Sequence, residues 1–338
     1  MKGKKDIIIT GAAGFIGSTL ANKLALDKNY NLILIDSLKY GNVLNLSNNL
    51  RDKLIVTNCL DIEELEMLIP ERAIIFHFAG VSSLPECESD FVNAIMNNFV
   101  TTVNVSQVAI KKSCEKFIFA STSAVYENTK GEQFVETDKI TPDLFYSFTK
   151  YLSEQHLQTI SKKHYGLNTI VCRFFNVYGY KQDVKRVNPP LTGYLANCLY
   201  VNKEAIIYNQ NNEVKRDYIF ITDLINGLVA VLNAPVEKNY ECINFSSGLS
   251  YSVSDIIRAF NEIGLATLKV KYKEPSRIWN KYPNLDILLG EKRILKEVNK
   301  SAHGNNTKLQ RLLSSDYQFV KMYEGVKLMY DSMVNERD

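Results

Sequence analysis

A chain of 338 residues is long enough to bury a large core, as two domains or as one large α/β unit. Its 46% hydrophobic and 23% charged content is that of a soluble globular protein, and 40 basic against 37 acidic residues, mixed along the chain, leave no electrostatic footprint for nucleic acid or a membrane. The six cysteines (59, 87, 114, 172, 198 and 242) form no CxxC or Cys/His ligand pattern, so no metal is expected and reduced thiols in a cytoplasmic protein are.

The opening MKGKKDIIITG carries an apolar run that Gly11 cuts short, which reads as a buried strand rather than a signal peptide or membrane span. After DIIIT come a helical stretch from Phe15 to Lys28, then NLILID, KLIVTNC and AIIFHFAG, a helical stretch from Val92 to Lys112, KFIFAS, a helix from Tyr146 to Tyr165, and LNTIVCRF. Apolar runs alternating with helices of about ten residues or more predict right-handed βαβ units, hence an α/β fold with a doubly wound, Rossmann-type parallel sheet. Past residue 176 the pattern loosens through Pro189-Pro190, the Asn-rich NQNNE and short elements such as YIF and CINF. A smaller mixed α/β substrate domain is expected there. The expected domains are 1–175 and 176–338, with strand or helix exchange between them.

ITGAAGFIG sets Gly11, Gly14 and Gly17 between the first strand and a helix, where backbone must approach a pyrophosphate at a helix N-terminus. A plain structural turn is the alternative for a glycine triplet alone. Asp36 ends the second strand roughly 20 residues later, where a carboxylate can bond both ribose hydroxyls of an adenosine and repel a 2'-phosphate. NAD is therefore favoured over NADP.

Tyr146 and Lys150 show the Tyr-x-x-x-Lys spacing, but so do Tyr126/Lys130, Tyr317/Lys321 and Tyr323/Lys327, and with 19 tyrosines chance alone supplies about two such pairs. Context separates them. Tyr146 and Lys150 share one face of a predicted helix that follows the turn TPD. Tyr126 leads into the polar loop ENTKG, while Tyr317 and Tyr323 fall in an expected C-terminal packing helix. A tyrosine base working near neutral pH needs its pKa lowered by roughly three units, about 4 kcal/mol, which a nearby ammonium and a cationic nicotinamide can supply.

The segments TGAAGFIG, CLDI, HFAG (77–80), STSAVY (121–126), YSFTK (146–150), RFFNVYG (173–179) and RDYIFITD (216–223), taken in this order, make the chain resemble the extended short-chain dehydrogenase/reductase family. Within it, the resemblance is to the NAD-dependent nucleotide-sugar epimerase/dehydratase group. It implies that Gly11, Gly14, Phe15, Ile16 and Gly17 cradle the cofactor, with Asp36 and Ser37 at the ribose. Asp61 and Ile62 would hold the adenine; Phe78, Ala79 and Gly80 would line the pyrophosphate and nicotinamide ribose, and Phe174 would lie near the nicotinamide. His77 reads better as a satisfied core histidine.

The same resemblance gives Tyr146 the role of base, Lys150 that of ribose holder, and Thr122 that of the hydroxyl on the reacting sugar oxygen, with Ser123 beside it; a helix or turn cap is the alternative for this hydroxyl cluster. Asn176, Arg216 and Arg277 would hold the nucleotide sugar's diphosphate, a surface salt bridge being the alternative for Arg277. Family members that eliminate water commonly carry Asp-Glu just after the threonine; here Ser123 and Ala124 stand instead, so a 4,6-dehydratase would lack its acid. Residues 279–300 also depart from the usual pattern. The implied activity is NAD-dependent C4 epimerisation of a UDP-sugar, against a net C4 dehydrogenase or keto-reductase and a non-catalytic NAD-binding regulator. The resemblance further implies a homodimer formed through helices 92–112 and 146–165.

Overall fold

The computed structural model describes residues 4–131, 133–162, 165–184, 186–208, 211–263, 267–275, 278–282 and 285–335, without the side chains of Asp286 and Ile287. Arg277 therefore lies outside the described residues. The strands in chain order are β1 (Lys5–Thr10), β2 (Tyr30–Asp36), β3 (Leu54–Val56), β4 (Ile74–His77), β5 (Lys116–Thr122), β6 (Thr169–Phe174), β7 (Asn176–Tyr178), β8 (Ala205–Ile207), β9 (Arg216–Phe220), β10 (Tyr240–Phe245), β11 (Ser250–Tyr251) and β12 (Val270–Tyr272). The chain divides into two compact units, 1–129 with 136–174 and 225–244, and 130–135 with 175–224 and 245–338.

The first unit is built on a seven-stranded sheet of order β10-β6-β5-β4-β1-β2-β3, with parallel pairing from β3 across to β6. Its central strands read Ile-Ile-Ile, Ile-Ile-Phe and Phe-Ile-Phe because helices cover both faces and leave no solvent side that would demand alternation. Leu157 and Ile160 from the helix Phe145–Ile160 and Val105, Val108 and Ala109 from the helix Thr101–Lys111 pack on Ile8, Ile75, Phe117, Phe119 and Val171. The doubly wound fold expected from the sequence is the one observed. CINF, grouped above with the looser second half, instead forms β10 and extends this sheet beside β6. Strand order reverses between β1 and β4, with Thr10 opposite His77, and that switch point is where open α/β sheets take their ligands.

The helical stretch expected over 92–112 runs from Phe91 to Lys111 and is interrupted by a π-helical turn at Ile95–Val100. A π-turn misaligns the ladder locally and re-aims side chains. Here it turns Asn98, only 1% exposed, into the protein.

The second unit holds a three-stranded sheet, β11-β9-β7, and a parallel β12-β8 pair. The helix Val253–Glu262 begins with a capping box between Ser252 and Asp255 and packs with the helix Met322–Asn335. Tyr317, expected inside the C-terminal helix, precedes it. The carboxylate of Asp223 accepts from Tyr317 Oη at 2.8 Å and Val320 N at 2.9 Å, which fixes this approach outside the helix. Among the described residues no helix is long and apolar enough to cross a membrane.

One buried ion pair ties β6 to the long helix: Arg173 donates to both oxygens of Glu154, at 3.1 and 2.7 Å, with 5% and 1% of the two side chains exposed. Removing one partner strands a buried charge, so Glu154→Ala is expected to cost about 3–5 kcal/mol in urea unfolding, and Glu154→Leu combined with Arg173→Met to recover most of it. A loss under about 1 kcal/mol for Glu154→Ala would refute this account.

Candidate active site

Gly11 sits at φ +70, and a Cβ there would lie 2.8 Å from Ala79 N and from Phe78 C; a Cβ at Gly17 would lie 2.1 Å from Gly11 O. Glycine at 11 therefore lets the loop after β1 lie on the chain leaving β4, and glycine at 17 lets the helix lie against that loop. Gly14, extended at φ −74 and ψ 173, is the N-cap of the helix Phe15–Leu24, so the amides of Phe15, Ile16 and Gly17 stand ahead of the helical ladder. Asp36 is buried at the end of β2, accepting from Ala13 N at 2.9 Å on Oδ2 and from Leu38 N at 2.8 Å on Oδ1. A carboxylate offers about four acceptor sites, so capacity remains for ribose hydroxyls. This cradle suits a dinucleotide: open amides at a helix N-terminus for a pyrophosphate, and an acid at the next strand end. Ser37 follows that acid, and Asp61 caps the helix Ile62–Leu68 through Glu64 N at 3.0 Å.

Phe78, Ala79 and Gly80 leave β4 at the same switch point, and Phe78 packs against Phe174 at the end of β6, with ring centroids 6.3 Å apart. Their anchor is Asn98, whose amide accepts from Val81 N at 2.7 Å and donates to Val81 O and to Thr149 Oγ1, each at 3.1 Å. One side chain thus ties the strand-end loop to the helix that carries Tyr146. His77 is the core histidine the sequence suggests: Nδ1 pairs with Thr10 Oγ1 at 2.7 Å, Nε2 with Thr102 Oγ1 at 3.1 Å, and burial with the Lys150 charge lowers its pKa to about 3.

Tyr146 and Lys150 are buried one turn apart on the helix Phe145–Ile160. Tyr146 packs with Val81, Cys87 and Ala94, and Ala124 joins that cluster from the turn Ser123–Tyr126, so the tyrosine lies beside the turn that continues β5 past Thr122. Thr122 Oγ1 caps this turn by accepting from Ala124 N at 3.1 Å. The capping reading of the hydroxyl is thus realised, and it holds the side chain at the strand end. The Lys150 ammonium lies 4.5 Å over the Phe119 ring, and burial, opposed by Cys87 and Glu154, brings its pKa down to about 8. A lysine tuned in this way beside a tyrosine is the arrangement general-base chemistry needs.

The other tyrosines with lysine spacing lack these surroundings. Tyr126 is fully buried, donating to Asn244 Oδ1 at 2.8 Å and accepting from Arg173 Nη1 at 2.7 Å, and burial raises its pKa. In the second unit Asn176 donates to Asp217 O at 2.7 Å, and Arg216 reaches Glu297 O at 2.5 Å and Lys300 O at 3.2 Å.

The profile of the NAD dependent epimerase/dehydratase family matches residues 7–245. The chain belongs to that family. It is an enzyme, and its cofactor is NAD. It is 30% identical over 290 residues to an uncharacterized UDP-glucose epimerase of Bacillus subtilis, covering 81% of this chain and 88% of that one. A dTDP-D-glucose 4,6-dehydratase of Dictyostelium discoideum is 30% identical over 270 residues, 75% of this chain and 60% of that one. Among solved structures, UDP-glucose 4-epimerase of Thermotoga maritima, crystallised with UDP-glucose, superimposes with a TM-score of 0.84 at 26% identity, covering 98% of this chain and all of that one.

Three further groups shape the site of this epimerase/dehydratase family member, and the sequence reading passed over them. Asn98 is one. Gly41 is another, since a Cβ there would lie 2.7 Å from Asp36 Oδ1. The third is Glu127, whose Oε2 accepts from Asp143 N, Leu144 N and Ser147 Oγ at 2.7–2.9 Å and, with Glu88 on Phe145 N, holds the start of the helix bearing Tyr146. Only Asn98 had a readable sign, as part of an Asn-Asn pair inside an otherwise helical apolar run.

Lys150 should cost the free protein stability. It is charged in both states at pH 7, and a folded pKa near 8 against 10.5 unfolded makes the folded charge unfavourable by about 3 kcal/mol. Between pH 8 and 10.5 the folded state has lost this proton and the unfolded state still holds it, so stability rises with pH across that window. Lys150→Met is therefore expected to stabilise the NAD-free protein at pH 7, with the gain fading toward pH 10.5; denaturant melts of both proteins at several pH values measure it. A variant less stable than wild type at pH 7 would contradict the cause assigned to the shift.

Proposed function

We propose that the protein is a nucleotide-sugar 4-epimerase, acting on a UDP-sugar through a transient 4-keto sugar. The observation that carries this reading is the buried Tyr146–Lys150 pair next to the turn that Thr122 caps, with no acid in that turn. Ala124 packs against the apolar cluster that contains Tyr146, and the carboxylates near this helix start, Glu127 and Glu88, are engaged by its backbone amides. A dehydratase needs a free acid at that place to protonate the leaving hydroxyl. Bound NAD would supply the hydride acceptor and donor.

The chain's own residues would do the rest. Tyr146 Oη takes the C4 hydroxyl proton and returns it, Thr122 orients the same oxygen, and the Lys150 ammonium favours the phenolate by charge and holds the nicotinamide ribose. Gly11, Gly14, Phe15, Ile16 and Gly17 would bind the pyrophosphate; Asp36 with Ser37, Asp61 with Ile62, and Phe78 to Gly80 with Phe174 would position the remaining parts of the cofactor. Asn176 and Arg216 would bind the nucleotide sugar, with Ser123 at the sugar. Relatives and neighbours that are UDP-glucose epimerases support the substrate class.

The test is a panel of UDP-, GDP-, dTDP- and CDP-sugars followed by proton NMR. A C4 epimer should form without added NAD and with no net absorbance change at 340 nm, and Tyr146→Phe should lower kcat by roughly 10²–10⁴-fold with NAD still bound. Stoichiometric NADH release would show a net C4 oxidoreductase instead.

This reading includes a homodimer. Phe91, Val92 and Phe148 are 51%, 74% and 42% exposed on the two helices concerned, and Phe145 links Phe91 to Phe148 through ring contacts at 4.4 and 5.7 Å. An exposed aromatic patch of this kind marks an association surface. Val92→Glu combined with Phe148→Glu should convert dimer to monomer in sedimentation equilibrium; a monomeric wild type would end the idea.

A further inference from the structure

The loop that leaves β2 is fixed at its base to the glycine loop after β1. Asn42 N donates to Ala13 O at 3.0 Å, Asn45 Nδ2 donates to the same oxygen at 2.9 Å, and Leu38 N donates to Asp36 Oδ1 at 2.8 Å. Leu38 stands at φ +57, a left-handed conformation that a bulky side chain rarely adopts. Strain of this kind persists where the surrounding contacts impose it. On the far side of Leu38 those contacts belong to Lys39 and Tyr40.

Both side chains join the helical stretch that follows β4. Tyr40 Oη donates to Glu86 Oε1 and accepts from Asn93 Nδ2 at 3.3 Å, while Lys39 Nζ donates to Asn93 Oδ1 at 2.5 Å and lies 5.3 Å from the centre of the Tyr40 ring. Asn93 is itself braced: Asp90 Oδ1 accepts from its backbone amide at 2.9 Å, and Asn97 Nδ2 donates to its Oδ1 and its O, each at 2.9 Å. With two donors on Oδ1, the Nδ2 of Asn93 is left to face Tyr40.

Strand order gives this bridge its meaning. β1 lies between β2 and β4, and the glycine loop follows its C-terminal end. A link from the chain after β2 to the chain after β4 therefore crosses the end of β1, over the crevice where an open α/β sheet takes its ligand. Tyr40 is 47% exposed and Asp36, at the base of its loop, is buried, so the bridge forms the outer side of the cradle. A single exposed polar contact contributes little. Three of them converging from two residues of a strained loop make a fastening.

We propose that Lys39 and Tyr40, bonded to Glu86 and Asn93, form a clasp across the cofactor crevice that opens each time NAD enters or leaves. This rests on the cofactor lying along Gly11 to Gly17 and Asp36, as in the reading above. Because the clasp makes its bonds within the protein, it raises the barrier in both directions and changes the affinity little. A side chain bonded to the cofactor would instead slow release alone. For an enzyme that returns the hydride it has removed, slow exchange keeps the reduced cofactor in place between the two transfers.

The experiment starts from the NAD-loaded enzyme. Exchange of its bound NAD for deuterium-labelled NAD, followed by mass spectrometry, gives the release rate; the NAD retained on serial dilution, measured by ultrafiltration, gives the affinity. Lys39→Met combined with Tyr40→Phe should speed exchange by about tenfold or more and shift the affinity by less than about threefold. Glu86→Ala combined with Asn93→Ala cuts the same bonds from the opposite side and should do the same, with circular dichroism reporting that each protein is folded. Unchanged exchange in either pair, or faster exchange with a proportionate loss of affinity, would overturn the clasp. Asp36→Asn tests the cofactor placement separately: weaker NAD binding is expected, and undiminished affinity would remove that placement and the clasp with it.

Discussion

The first unit is organised around an ammonium held inside the protein. Removing Lys150 from water costs several kcal/mol, and a free helix would rotate or slide to return it. The helix Phe145–Ile160 cannot. Glu127 and Glu88 grip its first amides, Asn98 bonds Thr149 in its middle, and Ser153 Oγ donates to Asn98 O at 3.1 Å. Below the ammonium lies the face of Phe119, stacked at 22° on His77, which stays neutral because a second buried positive charge beside Lys150 would be costly.

The loop leaving β4 and the helix bearing Tyr146 are tied together through Asn98. Its amide satisfies both backbone groups of Val81, immediately after Gly80, and a Cβ at Gly80 would lie 2.7 Å from its Oδ1. Gly11 in turn lies against Phe78 and Ala79. Movement of the β1 loop is thus passed to the strand end, to Asn98 and to Thr149, three residues after Tyr146. Preorganisation of this kind serves the proposed chemistry, in which small misplacements of the reacting groups would be expensive.

Much of this was readable before any coordinates. Continuous apolar runs such as DIIIT and KFIFAS identify strands buried on both faces, and the glycine triplet with Asp36 points to the proposed phosphate end because strand and helix flank it. Four tyrosine–lysine spacings reduce to one because only Tyr146 and its lysine share a helix in the half of the chain that carries the hydroxyl-bearing strand end. What escaped depended on partners distant in sequence. β10 joins the sheet through β6 across more than sixty residues, a pairing that the short run CINF does not announce. Tyr317 leaves the C-terminal helix because Asp223, far upstream, captures Val320 N. Glu127 looks like a loop residue until the amides it caps are seen, and Asn98 needed a π-turn to face inward.

The buried cations among the described residues differ in how they are compensated. Arg173 is matched by Glu154 oxygen for oxygen, and Lys116 Nζ is satisfied by the carbonyls of Val231, Leu232 and Ala234 at the end of a helix. These hold the fold, their hydrogen-bonding capacity spent within it. Lys150 sits over the Phe119 ring with only a partial carboxylate influence. Burial without full compensation lowers stability and is retained where an outside group completes the balance. That this centre is positive fits the anionic form of Tyr146 that the proposed mechanism requires.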